Sequence, residues 1–243
     1  MTSRAMAVIA AGVLAGCGGT TVVPPSQAPQ PSKSDTEKLV CDRKVEDFSD
    51  NQPGVFPSDW KVRDSGQEEL GAETYEVVEV EGGRALHGKW QKETVTVGLV
   101  IEDWDINRYP VLRYRWKATQ LPAGGDETRD DLNDTGAAVY AIWKVGFPMY
   151  VRGIKYAWST TLAEGTRTSK RMKHDQMLVM DSGEAHLGQW RTVEVDVQMH
   201  ALTFFEEKGG VGNPNGIAVM TDADSTGSSA EAYFTDFELC HYE

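Results

Sequence analysis

Apolar side chains recur at every second position along most of this chain. Val95, Val97, Leu99 and Ile101 share one parity; Leu112, Tyr114 and Trp116 alternate with Arg113, Arg115 and Lys117; and Val193, Val195 and Val197 alternate with Thr192, Glu194 and Asp196. A period of two belongs to a strand with one face in a core. The stretches 75–80, 137–145, 154–160, 177–180, 217–221 and 233–239 read as strands by their β-branched and aromatic content. Turn clusters such as Glu81-Gly82-Gly83, Pro122 to Asp126 and Asp181-Ser182-Gly183 separate them. No helical period competes, except over Val197 to Phe205, where Met199, Leu202 and Phe205 are spaced for one short helix. About ten short strands without alternating helices predict an all-β fold, a two-sheet antiparallel β-sandwich with at most one short helix.

Composition narrows the function classes. The chain is 40% hydrophobic and 25% charged, which is enough apolar content to bury a core. Its 24 Lys and Arg face 37 Asp and Glu, a formal net charge of −13 that repels phosphate backbones and excludes a nucleic acid as partner.

The first residues read as a lipoprotein signal peptide over 1–16. Arg4 precedes an uncharged apolar run, and Leu14-Ala15-Gly16-Cys17 closes it. That run is far shorter than the roughly 20 residues needed to span a bilayer. The four closing residues resemble the lipobox of bacterial lipoproteins, which implies cleavage before Cys17, its acylation and attachment to a membrane through that anchor. Removing 16 residues, Arg4 among them, takes the net charge from −13 to −14. Gly18 follows the cysteine, and by resemblance to lipoprotein sorting this favours the outer membrane in a host with two membranes. Residues 17–40, rich in Pro and Ser, read as a solvated linker, and 41–243 as the sandwich domain. Three cysteines less Cys17 leave Cys41 and Cys240, an even pair at the two ends of the domain. In an oxidising envelope such a pair reads as a disulfide.

Sequence signals for chemistry are sparse. The chain has no Gly-x-Ser-x-Gly elbow, phosphate-binding loop, His-Glu-x-x-His or Cys-x-x-Cys, and its five His are scattered. Asp222-Ala223-Asp224-Ser225-Thr226-Gly227 opens like an oxygen-rich calcium loop, with Asp222, Asp224 and Thr226 as candidate ligands. Position twelve is Tyr233, so the loop is not an EF-hand. An Asx-turn in which Asp222 and Asp224 cap backbone N–H groups fits the same residues. Glu194, Asp196 and Gln198 would share one strand face and resemble the catalytic strand of family 16 glycoside hydrolases. Their spacing is compressed, however, and Gln198 cannot exchange a proton, so an acidic solvated face over Val193, Val195 and Val197 is the stronger reading. Seven Trp are generous for one domain, and aromatic faces stack on sugar rings. Most should be core. Arg115, Tyr156 and Trp158 join Asp222 and Asp224 as candidate ligand contacts.

Phe56-Pro57-x-x-Trp60, Tyr109-Pro110-Val111-Leu112-Arg113-Tyr114-Arg115-Trp116-Lys117, Tyr156-Ala157-Trp158, Gly188-Gln189-Trp190 and Gly216 to Thr226 resemble landmarks of a bacterial envelope family known as domain of unknown function 3047. The resemblance spans Phe48 to Phe237, with Tyr114 where a Trp-rich strand is usual. It implies a jelly-roll, lectin-like or galactose-binding-like sandwich and transfers no activity. The expectation is a lipid-anchored envelope protein with a non-catalytic carbohydrate- or ligand-binding domain. The competing classes are a glycan-active hydrolase or lyase using loop or strand carboxylates, and a structural envelope interaction protein.

Overall fold

The computed structural model describes residues 21–23, 37–90, 93–145, 150–170, 174–206 and 210–243. Residues 1–16, read as a signal peptide, and Cys17 lie outside them. In chain order the elements are β1 (Thr21–Val23), β2 (Leu39–Glu46), β3 (Lys61–Val62), α1 (Glu68–Thr74), β4 (Tyr75–Val80), β5 (Gly83–Lys89), β6 (Val97–Val100) and β7 (Val111–Gln120). There follow β8 (Ala137–Val145), β9 (Tyr150–Ser159), β10 (Arg167–Lys170), β11 (Asp175–Ser182), β12 (Arg191–Asp196), α2 (Val197–Phe204), β13 (Gly216–Met220) and β14 (Glu231–Tyr242).

The strands form two sheets. One has eight strands in the order β1-β10-β11-β9-β8-β13-β6-β3; the other runs β12-β7-β14-β5-β4, with β2 also paired to β14. Among the described residues all pairings are antiparallel except β11 with β9, which run parallel. The fold is therefore the expected sandwich, with two short α-helices among the described residues in place of one. Helix α1 is only seven residues long and carries Gly71 in its interior, too short for a 3.6-residue period to emerge from the sequence. Helix α2 lies where expected but buries Val197, His200, Ala201 and Phe204, leaving Leu202 exposed. Asp196 caps it, its carboxylate accepting the Met199 N–H at 2.8 Å.

Inward positions of both sheets supply one continuous core, including Trp60, Trp104, Trp116, Trp143, Trp158, Tyr114, Tyr156, Phe234 and Phe237. Trp90 and Trp190 are half-buried. Cys41 and Cys240 face each other across β2 and β14 and are joined by a disulfide, with Cα atoms 4.0 Å apart. Within the segment read as linker, Thr21–Val23 adds an edge strand to β10, and β2 begins at Leu39.

Candidate functional site

Register decides which side chains meet on the open face of the eight-stranded sheet. Lys61, Gly98, Ala218, Tyr140, Lys155, Met177 and Thr168 are successive cross-strand partners in one row from β3 to β10. At the β8–β11 end of this row lies a cleft of about 400 Å³, walled by Arg63, Thr94, Tyr140, Lys155, Lys170, Gln176, Asp222 and Asp224.

The Asp222 loop leaves β13 beside this cleft. Its backbone is tied to the segment leading into β8 through Asp222 N–H, which donates to Thr135 O at 3.0 Å. Asp134, fully buried, accepts the N–H groups of Ser225 (3.0 Å) and Thr226 (2.6 Å), one on each carboxylate oxygen. Asp222 accepts the Thr94 hydroxyl and, at 3.3 Å, the Asp224 N–H, which is the Asx-turn geometry. Deeper in, buried Glu127 accepts from Thr135 Oγ1 (2.9 Å) and Ser159 Oγ (2.6 Å), while Lys155 Nζ donates to Thr135 Oγ1 at 2.6 Å.

These contacts set the protonation chemistry. Burial pushes the Asp222 carboxyl above the ordinary range, and Asp224 and Asp134 add to the shift, while Thr94 and Lys155 oppose it. Burial likewise lowers Lys155, against the pull of Glu127, Asp222 and Asp134. One ammonium thus serves three carboxylates.

The structure brings Asp222 and Asp224 together but not with their expected companions. Tyr156 and Trp158 are fully buried between the sheets, at inward positions of β9, where no ligand reaches them. Tyr156 OH instead meets His200 Nδ1 at 3.2 Å, and Trp158 Nε1 donates to Gly183 O at 3.0 Å. Arg115 sits on the outer face of the other sheet, paired with Asp236 at 2.8 Å and stacked on Trp190 with Cζ 4.9 Å from the ring centroid. On that face Lys117 Nζ also lies 4.3 Å from the Tyr233 ring centroid and 5.1 Å from that of Trp190, so cations already cover the rings a sugar would use. Glu194 and Asp196 end β12 there, and Gln198 belongs to α2, so the three share no strand face.

The Thr226 hydroxyl pairs with Ser228 Oγ at 2.7 Å. The third carboxylate beside Asp222 and Asp224 is that of Asp134. Carboxylate oxygens of Asp134, Asp222 and Asp224 lie within 4.8 Å of one another. Three hard oxygens fit part of a calcium shell, which takes six to eight, but Lys155 already supplies positive charge to two of these acids. Asp134, Glu127 and Lys155 escaped sequence reasoning because they are distant in the chain from Asp222. The one available signal was a Lys flanked by Ile154 and Tyr156, which alternation alone reads as an ordinary solvated position.

Residues 58–238 match the family described as Protein of unknown function (DUF3047). The chain belongs to that family. Among curated proteins none matches. Solved structures similar to this DUF3047 chain include a family 11 carbohydrate-binding module from Clostridium thermocellum in complex with a β-1,3-1,4-mixed-linked tetrasaccharide, at 11% identity over 81% of this chain and 94% of that one, TM-score 0.41. A non-crystalline cellulose specific module, CBM28, is 8% identical over 80% and 91%, TM-score 0.42. Endoglucanase 3 of Trichoderma harzianum, from family GH12, is 10% identical over 87% and 100%, TM-score 0.41. These likenesses are distant, and the sandwich is read from the DUF3047 chain's own two sheets.

Proposed function

We propose that this protein is a lipid-anchored envelope protein whose sandwich binds a carbohydrate, without converting it, in the cleft over the eight-stranded sheet. The composition of the cleft carries this reading. Arg63, Lys155 and Lys170 face Glu127, Asp175, Asp222 and Asp224, so the cleft is nearly charge-balanced in a chain of net charge −13. Thr94, Asn133, Gln176 and Ser225 add groups that both donate and accept, and the Tyr140 ring stands among them. A dense, nearly neutral mixture of donors and acceptors beside one aromatic ring suits vicinal hydroxyls, each of which is donor and acceptor at once. The anchor at Cys17 is supported by the residues Leu14 to Cys17.

A hydrolase is the second reading. It is favoured by Asp222, whose carboxyl burial holds above the ordinary range, standing beside Asp224. Such a pair is the raw material of acid-assisted glycoside cleavage.

The test is a glycan array on the full chain carrying Cys17→Ser, with and without chelator, against the same chain carrying Asp222→Asn and Asp224→Asn. Binding that disappears in the double variant, at retained fold, supports the proposal. Binding that persists while stability falls would assign both residues to the turn alone. Glycan cleavage by the parent that vanishes in the variant would transfer the assignment to the hydrolase.

A further inference from the structure

Beside the polar cleft, the same sheet face changes character. Along the neighbouring row, Val100, Gly216, Ile142 and Gly153 are successive partners from β6 to β9. Val100, Gly216 and Ile142 of this row, with Val151, floor and wall an apolar groove of about 250 Å³. Val100 and Val151 are 59% and 41% exposed, two of the five large apolar side chains left exposed among the described residues. Scattered single exposures are ordinary, but two flanking one concave apolar groove mark a binding surface. Its apolar side chains are all aliphatic. Sugar rings favour aromatic faces, whereas a groove of branched aliphatic side chains floored by Gly98, Gly216 and Ala218 fits an alkyl chain.

Two observations say what that chain is attached to. The charged side chains lining the groove, among the described residues, are all cations: Lys61, Arg63 and Lys144, of which Arg63 also donates through Nε and Nη2 to Asp64, outside the lining, at 3.0 and 2.8 Å. In a chain of net charge −13 this local sign complements an anion. Arg63 lines both the groove and the polar cleft, and Ala218 of the groove pairs directly with Tyr140 of the cleft. Groove and cleft are therefore two halves of one trough that meet at Arg63.

We infer that the ligand is a single-chain amphiphile: its aliphatic chain lies in the groove, an anionic group sits against Arg63, and its hydroxyl-rich head occupies the polar cleft. The head-group part rests on the carbohydrate reading above. The chain part stands on the groove alone.

Calorimetric titration of the full chain carrying Cys17→Ser, so that no acyl chain of its own competes, separates the two. The probes are methyl, butyl, hexyl and octyl phosphate, each below its micelle-forming concentration. Affinity is expected to rise about two- to fourfold per methylene and to weaken as salt is raised. Val100→Asp with Val151→Asp, both at exposed positions, should lower octyl phosphate affinity at least tenfold. No dependence on chain length, or an unaffected valine double variant, would overturn the inference. So would octyl glucoside binding as tightly as octyl phosphate, or capture by phosphatidylglycerol vesicles without any chain-length dependence for the monomers. Octyl phosphate bound normally by a protein that takes no glycan would remove the carbohydrate reading and leave the groove standing.

Discussion

His200 shows how one side chain converts burial into pH dependence. It is packed between the Phe204 ring, stacked at 5.1 Å between centroids, and the Tyr156 hydroxyl at 3.2 Å. Burial, with a smaller contribution from the Arg167 guanidinium, lowers it to about 4 from 6.5. The folded protein therefore holds this ring neutral at pH values where the unfolded chain protonates it. Between pH 6.5 and 4 the unfolded state binds more protons, so stability is full above 6.5 and falls as the pH drops through that window. A shift of this size is worth about 3 kcal/mol. Urea unfolding should show the midpoint falling between pH 7 and 4, and His200→Leu should flatten that slope while costing about 1 kcal/mol at pH 7 from the unpartnered Tyr156 hydroxyl. A variant with the parent's full acid slope would refute the assignment. The Asp222 carboxyl has the opposite sign: held high, it favours the folded state at low pH and loses that contribution as the pH rises through its folded value.

At the scale of elements, strands with one wet face were legible because alternation is the physical consequence of the sheet. β4 and β8 span the stretches 75–80 and 137–145 read from sequence alone. β14 was cut short because register shifts between Thr235 and Glu238, with Asp236 at φ 53°, break its period and let β5 and then β2 share one of its edges. The candidate site was less legible. Its loop residues Asp222 and Asp224 stood out as a local pattern, but Asp134, Glu127 and Lys155 reach them only through the strand order β9-β8-β13, which no local pattern encodes. Aromatic spacing misled in the other direction. Tyr156 and Trp158 look like a sugar-stacking pair in sequence, yet their shared parity places both in the core. The trough itself depends on small residues in the outward rows. A Cβ on Gly216 would meet the Leu99 carbonyl oxygen at 2.1 Å, so the close approach of β13 to β6 that floors the groove requires glycine there.

The whole molecule is closed by one covalent bond placed away from the site. Cys41 and Cys240 are separated by 199 positions, and their disulfide ties edge strand β2 to β14, at the opposite end of the domain's sequence. Closing so long a loop restricts the unfolded chain by up to about 5 kcal/mol on a loop-entropy estimate, with about 2–4 kcal/mol typical of measured cases. A domain of ordinary stability, about 5–15 kcal/mol, would lose a large share of it on reduction. The bond lies in the six-stranded sheet, while cleft and groove are carried by the eight-stranded one. Stability and binding should therefore separate. Cys41→Ser with Cys240→Ser is expected to lower the urea midpoint by an amount equivalent to about 2–5 kcal/mol, and reductant should do the same to the parent and nothing further to the variant. Under conditions where both proteins remain folded, glycan and octyl phosphate affinities should stay within about twofold of the parent. A double variant as stable as the parent would show that the bond adds nothing to the fold. A folded variant that had lost its ligands would show that the two sheets are coupled and that the trough is shaped from across the core.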